Sequence, residues 1–357
     1  MAKINKNSII IKWAEDADQK RWDEFILNHP NASPYHLFAW RKTIAAAYKH
    51  KCIYLYAAKN EEILGVLPLV HLHFPAIINE MVSLPFCDVG SCIVANEEAQ
   101  DLLLKEAIHY PEKNKTKKFQ VRGNLIPTDS VQSNFQSRRT GKVRMFLDLP
   151  ASSDELFKSF KSKLRSQVRK AEKNGVNFFW GGVEDIDSAY RVFSKNMHEL
   201  GSPVHSKSFL KAVLTWYGAR AKLGLAEFQG KIIGMGIILL GGKGVCIPWA
   251  STLREYNRLG PNMMLYWNFL KYSADKGYAF FDFGRSSEGE GTYKFKKQWG
   301  AKPTPLVWYD TIEKRKTKTE PSRNGTGKRE RVAAIWQKLP LGFANMIGPH
   351  LRKYISL

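Results

Sequence analysis

Apolar positions in this chain recur first with helical and then with strand spacing, and that succession happens twice. After Ser33-Pro34 a helix-like apolar run extends to Tyr48, and after Ser202-Pro203 another extends to Tyr217. Serine caps helices and proline limits continuation from the preceding chain, so each Ser-Pro is read as a helix opening. Behind each helix come an apolar strand, a polar turn ("KNEE" at 59–62, "QGK" at 229–231) and a second apolar strand. That is the pattern of an antiparallel hairpin. The two copies align without gaps: "NHPNASPYH" (28–36) lies on "MHELGSPVH" (197–205) at an offset of 198 − 29 = 169. The same offset puts Lys42 on Lys211, Tyr48 on Tyr217 and Gly65 on Gly234. A repeat this long means duplicated domains, not a solenoid. Helix followed by hairpin, twice, predicts an α/β (α+β) fold with mixed central sheets.

The copies join near Pro150, giving a first domain at 1–150, a second at 151–310 and a tail at 311–357. The second opens with "SSDELFKSFKSKLRSQVRKAEKNGV" (152–176), predicted as one helix with a Ser152 or Ser153 cap and a Gly175 stop. Leu156, Phe160, Leu164, Val168 and Ala171 make an apolar stripe; Lys158, Lys161, Arg165 and Arg169 make a basic one. The stretch 311–331 is polar and basic, a linker or exposed strand end, and 332–357 is apolar with helical period, broken at Pro340 and Pro349. That last segment either docks on the body or lies at a membrane surface with Trp336, Leu339, Phe343 and Ile347 inward.

Composition adds one strong constraint. The 357 residues carry 55 Lys and Arg against 33 Asp and Glu, a formal charge of +22. Such a balance favours polyanionic partners: RNA, a phosphorylated sugar precursor or an anionic membrane face. DNA is not expected, and no aromatic RNP-type motif supports a general RNA binder. Four cysteines lie at Cys52, Cys87, Cys92 and Cys246 with no metal-ligand spacing, so they read as reduced core thiols. No run approaches a membrane span and none resembles a signal peptide, so the expected location is cytoplasmic, or peripheral at the inner membrane.

Signatures of serine hydrolases, zinc proteases and phosphate-binding loops are missing. "HLH" (71–73) lacks a third ligand nearby, and no metal site is expected. Candidate chemistry concentrates after residue 245. "VCIPWAST" (245–252) reads as a buried strand carrying Trp249; Arg258 and Gly260 then lead into a helix starting at Pro261-Asn262. Free N–H groups and the helix dipole make such an N-terminus a candidate anion site. "AFFDFGR" follows as a strand ending in Asp282 and Arg285, then a Gly-rich turn with Glu288 and Glu290, then "TYKFKKQW". The spacing of Tyr293, Lys294, Phe295, Lys296 and Lys297 suits either a strand or a short helix. If an amine attacks an ester or thioester, the protein must orient both and stabilise an oxyanion. A lysine of this run is a candidate stabiliser or phosphate ligand, and Asp282, Glu288 or Glu290 a candidate proton acceptor.

"FDFGRSSEGEGTYKFKKQWGA" resembles the signature of the FemAB-like proteins, tandem members of the GNAT acyltransferase fold. "LRSQVRKAEKNGV" resembles the basic helix of their second domain, "VSLPFCDVGS" (82–91) a first-domain loop and "ILGVLPLVHLH" its hairpin. "IWQKLPLGFANMIGPHLRKY" resembles the tail of the subgroup associated with exosortase (PEP-CTERM) and exopolysaccharide loci. The resemblance implies two GNAT domains. It implies transfer of an aminoacyl or acyl group, from aminoacyl-tRNA or acyl-CoA as donor substrate, to a cell-envelope, exopolysaccharide or peptidoglycan precursor. It singles out Lys296 of the Phe295–Lys296 pair as the oxyanion or leaving-group stabiliser. The inserted coiled-coil arm of some members is missing, and the turn is acidic here. No tightly bound cofactor is implied. The roles assigned are Lys296, Asp282 and Glu288 for catalysis, and Arg285, Tyr293, Trp249, Arg258, Gly260 and Asn262 for substrate binding. In that assignment Arg258 and Gly260 hold a donor phosphate and Arg285 an acceptor phosphate. A non-catalytic scaffold binding an anionic precursor or membrane is the rival class.

Overall fold

A computed structural model describes residues 8–116, 118–312 and 325–357, with side chains of 325–329 left aside. The basic stretch read as a linker therefore lies mostly outside the described residues. One mixed sheet organises the chain. In chain order its strands are β1 (Ile10–Trp13), β2 (Lys51–Lys59), β3 (Glu62–Phe74), β4 (Ile78–Val82), β5 (Ile93–Val94), β6 (Lys118–Arg122) and β7 (Phe135–Asp148). They continue as β8 (Asn177–Gly181), β9 (Ala221–Phe228), β10 (Lys231–Leu240), β11 (Gly244–Thr252), β12 (Phe280–Ser286) and β13 (Lys302–Thr311). The spatial order is β1-β2-β3-β4-β6-β13-β7-β12-β11-β10-β9-β8, with β5 paired to β3.

That order is a palindrome of the repeat. β2 and β3 correspond to β9 and β10, β4 to β11, β6 to β12, and β7 to β13. Its centre is an exchange: β7 leaves its own half to pair with β12, while β13 pairs with β6. The two exchanged strands pair with each other from Lys302↔Phe146 to Thr311↔Phe135. The helices Phe38–Tyr48 and Lys207–Tyr217 obey the offset at both ends, 207 − 38 = 169 and 217 − 48 = 169. They pack on each other across the pseudo-twofold axis, where Thr43 Oγ1 donates to the carbonyl of its own counterpart, Ala212, at 3.5 Å.

Local reasons for these elements are visible. Asn60, Glu61, Gln229 and Gly230 all adopt positive φ, so both predicted hairpins close through two left-handed residues. Gly65 and Gly234 mark close packing: a Cβ on Gly65 would stand 2.7 Å from Val94 Cγ1, and one on Gly234 3.1 Å from Leu265 Cδ1. The Ser-Pro pairs precede the helices by about a turn rather than capping them. Ser206 caps the second helix by accepting from Phe209 N at 3.0 Å, and the first helix is met by the Asp23 carboxylate on Phe38 N at 2.7 Å. The helix expected over 152–176 is two, Ser153–Ser159 and Ser162–Lys173, broken where Phe160 turns extended to enter the core. Ser152 caps the first, and the apolar stripe is buried throughout.

One hydrophobic core runs through both halves, from Trp22 to Leu306, and a second lies under the helix Glu97–Asn114. Cys87, Cys92 and Cys246 are buried, Cys52 is half-buried, and all are free thiols. The tail docks. The helices Gly325–Lys338 and Leu341–Arg352 lie against Ile186–Glu199, where His198 Nε2 donates to Leu339 O at 2.8 Å and Trp336 is buried. Leu339 and Ile347 are half-buried, whereas Phe343 is exposed. Among the described residues no helix is long and apolar enough to cross a membrane.

Candidate active site

The parallel strands β11 and β12 pair only at Gly244↔Phe280, Val245↔Phe281 and Cys246↔Asp282, and then diverge. Both are bulged where they part. Between Cys246 and Trp249, β11 spends three residue steps against two on β10, and Pro248, which has no N–H to give, sits in that bulge. On the other strand, Asp282 faces Phe146 but Arg285 faces Arg144, so β12 also carries one extra residue. Gly284, at φ 71°, takes up that conformation. The result is a wedge-shaped opening in the sheet with Asp282 at its apex.

Asp282 is buried and fully engaged. Its Oδ2 accepts from Arg144 Nε at 3.1 Å and also from Arg144 Nη2, while its Oδ1 accepts from Gly284 N at 2.9 Å. Held between Arg144 and the Gly284 N–H, the Asp282 carboxylate pins the bulge. A cleft of about 800 Å³ reaches this apex, lined among others by Arg144, Asp282, Cys246, His36 and Ser91. Burial lowers the His36 pKa to about 4. With Nδ1 accepting from Ser33 N and Nε2 donating to Ser91 O, His36 is a neutral structural imidazole.

The Lys-aromatic run is a helix, Gly291–Gln298, which decides between the spacings the sequence allowed. Its period turns Lys294 and Lys297 to solvent and Lys296 inward, leaving Lys296 8% exposed. Phe295 and Trp299 fix the helix by packing on Tyr266, with ring centroids at 4.9 and 6.4 Å. Lys296 Nζ donates to Arg285 O at 2.7 Å. Burial lowers its pKa to about 8; the charges of Asp282 and Asp88 act the other way, and Arg285 adds to the lowering. A lysine so placed is still mostly protonated at neutral pH, but poorly solvated, and it gains from any negative charge formed beside it.

Asp88 is the residue that sequence reasoning missed. It comes from the first half, in the loop after β4, and its Oδ1 lies 3.6 Å from Arg285 Nε. Its backbone is held by β13, whose Trp308 Nε1 donates to Asp88 O at 3.3 Å. The opening belongs to the second half, yet one of its carboxylates belongs to the first. Only the "VSLPFCDVGS" resemblance hinted at that loop. Arg144, on the exchanged β7, had no local signal at all.

The remaining expected residues divide. Asp282, Arg285 and Lys296 come together at the opening. Glu288 and Glu290 lie exposed on the turn beyond it. Tyr293 is half-buried beside Lys297, 5.8 Å from its Nζ. Trp249 stacks on Trp40 at 6.3 Å and meets His205 and Phe209 edge-on, so it ties the paired helices together. Arg258 is exposed, and Gly260 (φ 87°) and Asn262 start the helix Pro261–Asp275 as expected. That turn packs on the basic helix Ser162–Lys173: a Cβ on Gly260 would stand 2.9 Å from Ala171 Cβ, and Asn174 Nδ2 donates to Leu259 O at 3.2 Å. It forms a separate, surface-facing feature.

Residues 158–297 match the family model described as "Acetyltransferase (GNAT) domain". The second half of the chain carries a GNAT-type acetyltransferase domain. GNAT domains use acyl-CoA as a donor substrate rather than as a tightly bound cofactor. No curated protein matches the chain. Among solved structures the chain is similar to FemX, with a TM-score of 0.68, 16% identity, and coverage of 85% of this chain and 97% of that one. It is similar to the C-terminal domain of a putative lysylphosphatidylglycerol synthetase from Agrobacterium fabrum (TM-score 0.57, 10% identity, 88% and 94% covered). It is also similar to a tandem GNAT protein from the clavulanic acid biosynthesis pathway (TM-score 0.54, 11% identity, 85% and 98% covered). At these identities the likeness is one of fold, and it extends the GNAT architecture over nearly the whole chain.

Proposed function

We propose that this chain transfers an acyl or aminoacyl group from acyl-CoA or aminoacyl-tRNA to an amine or hydroxyl of a cell-envelope, exopolysaccharide or peptidoglycan precursor. The observation that carries the reading is Lys296: a buried ammonium lowered to about 8 and hydrogen-bonded to the carbonyl of Arg285 on β12, the strand that parts from β11. Attack on a thioester or ester carbonyl puts negative charge on its oxygen, and Lys296 stabilises that charge more than it stabilises the neutral ground state. The two bulges hold the backbone apart so that the donor carbonyl reaches it. Asp88, whose buried Oδ1 has no hydrogen-bond partner, is the proton acceptor in this reading, in place of Asp282 and Glu288. The exosortase-associated subgroup, the anionic precursor and a tRNA partner belong to this proposal. So does a position in the cytoplasm against the inner membrane; the excess positive charge supports it.

The test is single turnover with charged tRNA and with acyl-CoA against envelope precursors. Transfer by the wild type that drops about 10²–10³-fold in Lys296→Ala is expected. Transfer at the wild-type rate removes the role of Lys296, and binding without transfer across all donors favours the scaffold.

A further inference from the structure

Three arginines from three distant parts of the chain meet on three consecutive residues of the loop after β4. Arg352, from the tail, lies over the Phe86 ring at 5.7 Å. Arg122, from β6, donates to Cys87 O at 3.2 Å. Arg285, from β12, lies 3.6 Å from Asp88. Lys296 joins them through the Arg285 carbonyl. Among the described residues Asp88 is the one carboxylate paired with an arginine of this group, so three guanidinium groups share a single ion pair.

The arginines do different work. Arg122 is buried and spends its donors on structure: Nε on Gln120 Oε1 at 3.0 Å, Nη1 on Ser356 O at 3.0 Å, and Nη2 on Ser356 Oγ at 2.7 Å. Its guanidinium also stacks 4.7 Å from the Trp308 ring. Phe86 N adds a second bond to Ser356 O at 2.7 Å, and His50 Nε2 donates to Lys353 O at 2.7 Å. The last residues of the chain are thus latched onto the first half. Arg352 directly precedes the first of those anchor points; it donates to Ile355 O, and among the described residues it pairs with no carboxylate. Arg285 is equally underused, at 3.6 Å from its one acid. Burial, with the charge of Arg285 adding to the effect, lowers both Arg352 and Arg122 to about 10.

We propose that the carboxyl-terminal tail is part of the binding site: Arg122 latches Ser356 and thereby holds Arg352 on the loop that Arg285 also meets, where the pair takes the phosphoryl anion of a substrate. The ligand class is a di- or polyphosphate ester, whose oxygens suit two guanidinium forks. This deepens the transferase reading and rests on it for the identity of the substrate. The binding itself is readable without any transfer. Arg352 is a binding residue, and Arg122 a positioning residue that acts through the tail.

The test is calorimetric titration of the full chain with inorganic pyrophosphate, coenzyme A and uridine diphosphate at two salt concentrations. Arg352→Ala is expected to weaken pyrophosphate by about tenfold, the worth of a charged hydrogen bond, with the melting temperature nearly unchanged. Arg122→Gln, which frees the latch, is expected to weaken it similarly and to add little in the Arg352→Ala background. Arg352→Lys is expected to recover part of the loss. Tighter binding of coenzyme A than of uridine diphosphate assigns the phosphate to the donor, and the reverse assigns it to the acceptor; loss with Arg352→Ala in either arm supports the site. Failure of pyrophosphate to bind the wild type, or equal affinity in Arg352→Ala, overturns the proposal. Pyrophosphate binding by a wild type that transfers from no donor counts against the transferase reading instead.

Discussion

Lys296 sets the residue-scale expectations. Its pKa of about 8 lies below the unfolded lysine value of 10.5, so burial penalises the charged form in the folded state. The cost is present in full below pH 8 and fades as pH rises toward 10.5. Lys296→Met should therefore raise stability at pH 7, by about 1–3 kcal/mol, while abolishing transfer. The gain should shrink above pH 8 in denaturant titrations; a destabilised variant at pH 7 would contradict the electrostatic account. The same sign governs activity. If the ammonium stabilises the oxyanion, the rate should fall as pH rises through about 8. Asp88 supports the charged form, so Asp88→Asn should move that alkaline limb to lower pH. A limb that stays put would detach Asp88 from Lys296. The sequence marked Lys296 through the Phe-Lys pair and left Lys294 open beside it; helical rather than strand geometry decides, because it buries Lys296 and leaves Lys294 and Lys297 exposed.

At the scale of elements, the close packing of glycines in the second hairpin gives a direct check. A Cβ on Gly236 would stand 2.7 Å from the Phe269 ring, a core side chain with no free space to retreat into. Gly236→Ala should cost about 1–3 kcal/mol as overpacking. Ser206→Ala, which removes the cap of the helix Lys207–Tyr217, should cost about 1 kcal/mol. Thermal unfolding measures both, and a neutral Ser206→Ala would mean that the pairing with Phe38–Tyr48 alone holds the helix. Much of this layer was legible. Periodicity marked both hairpins and both paired helices, and the offset of 169 carries their equivalence in the sequence itself. The break at Phe160 was not legible, since an apolar stripe at helical spacing reads through a residue that leaves the helix to bury its ring. The Ser-Pro signals fell a turn early for a similar reason. They begin a short 3-10 turn or an extended stretch, and the caps are made by Ser206 and by Asp23 from another helix.

For the whole molecule, the exchange of β7 and β13 is the feature with the widest consequences. No sequence pattern announces it, because pairing between strands as far apart as Phe280 and Asp148 or Asp310 and Gln120 leaves no trace in local periodicity. It accounts for Arg144 and Asp88 reaching an opening that the second half was expected to build by itself. It also couples the halves: β6 and β12 each lose one of their two neighbours if the other half unfolds. Calorimetry of the full chain should show one cooperative transition, and two resolved transitions would mean that the halves are independent units joined at an interface. The latched tail extends this coupling to the last residues of the chain.

The most direct test of the account compares envelope-precursor pools by mass spectrometry in cells carrying the wild-type chain or Lys296→Met in its place. The account predicts precursors bearing an added acyl or aminoacyl mass with the wild type and only the unmodified masses with the variant. Identical pools, with the variant folded and present at the wild-type level, would contradict it.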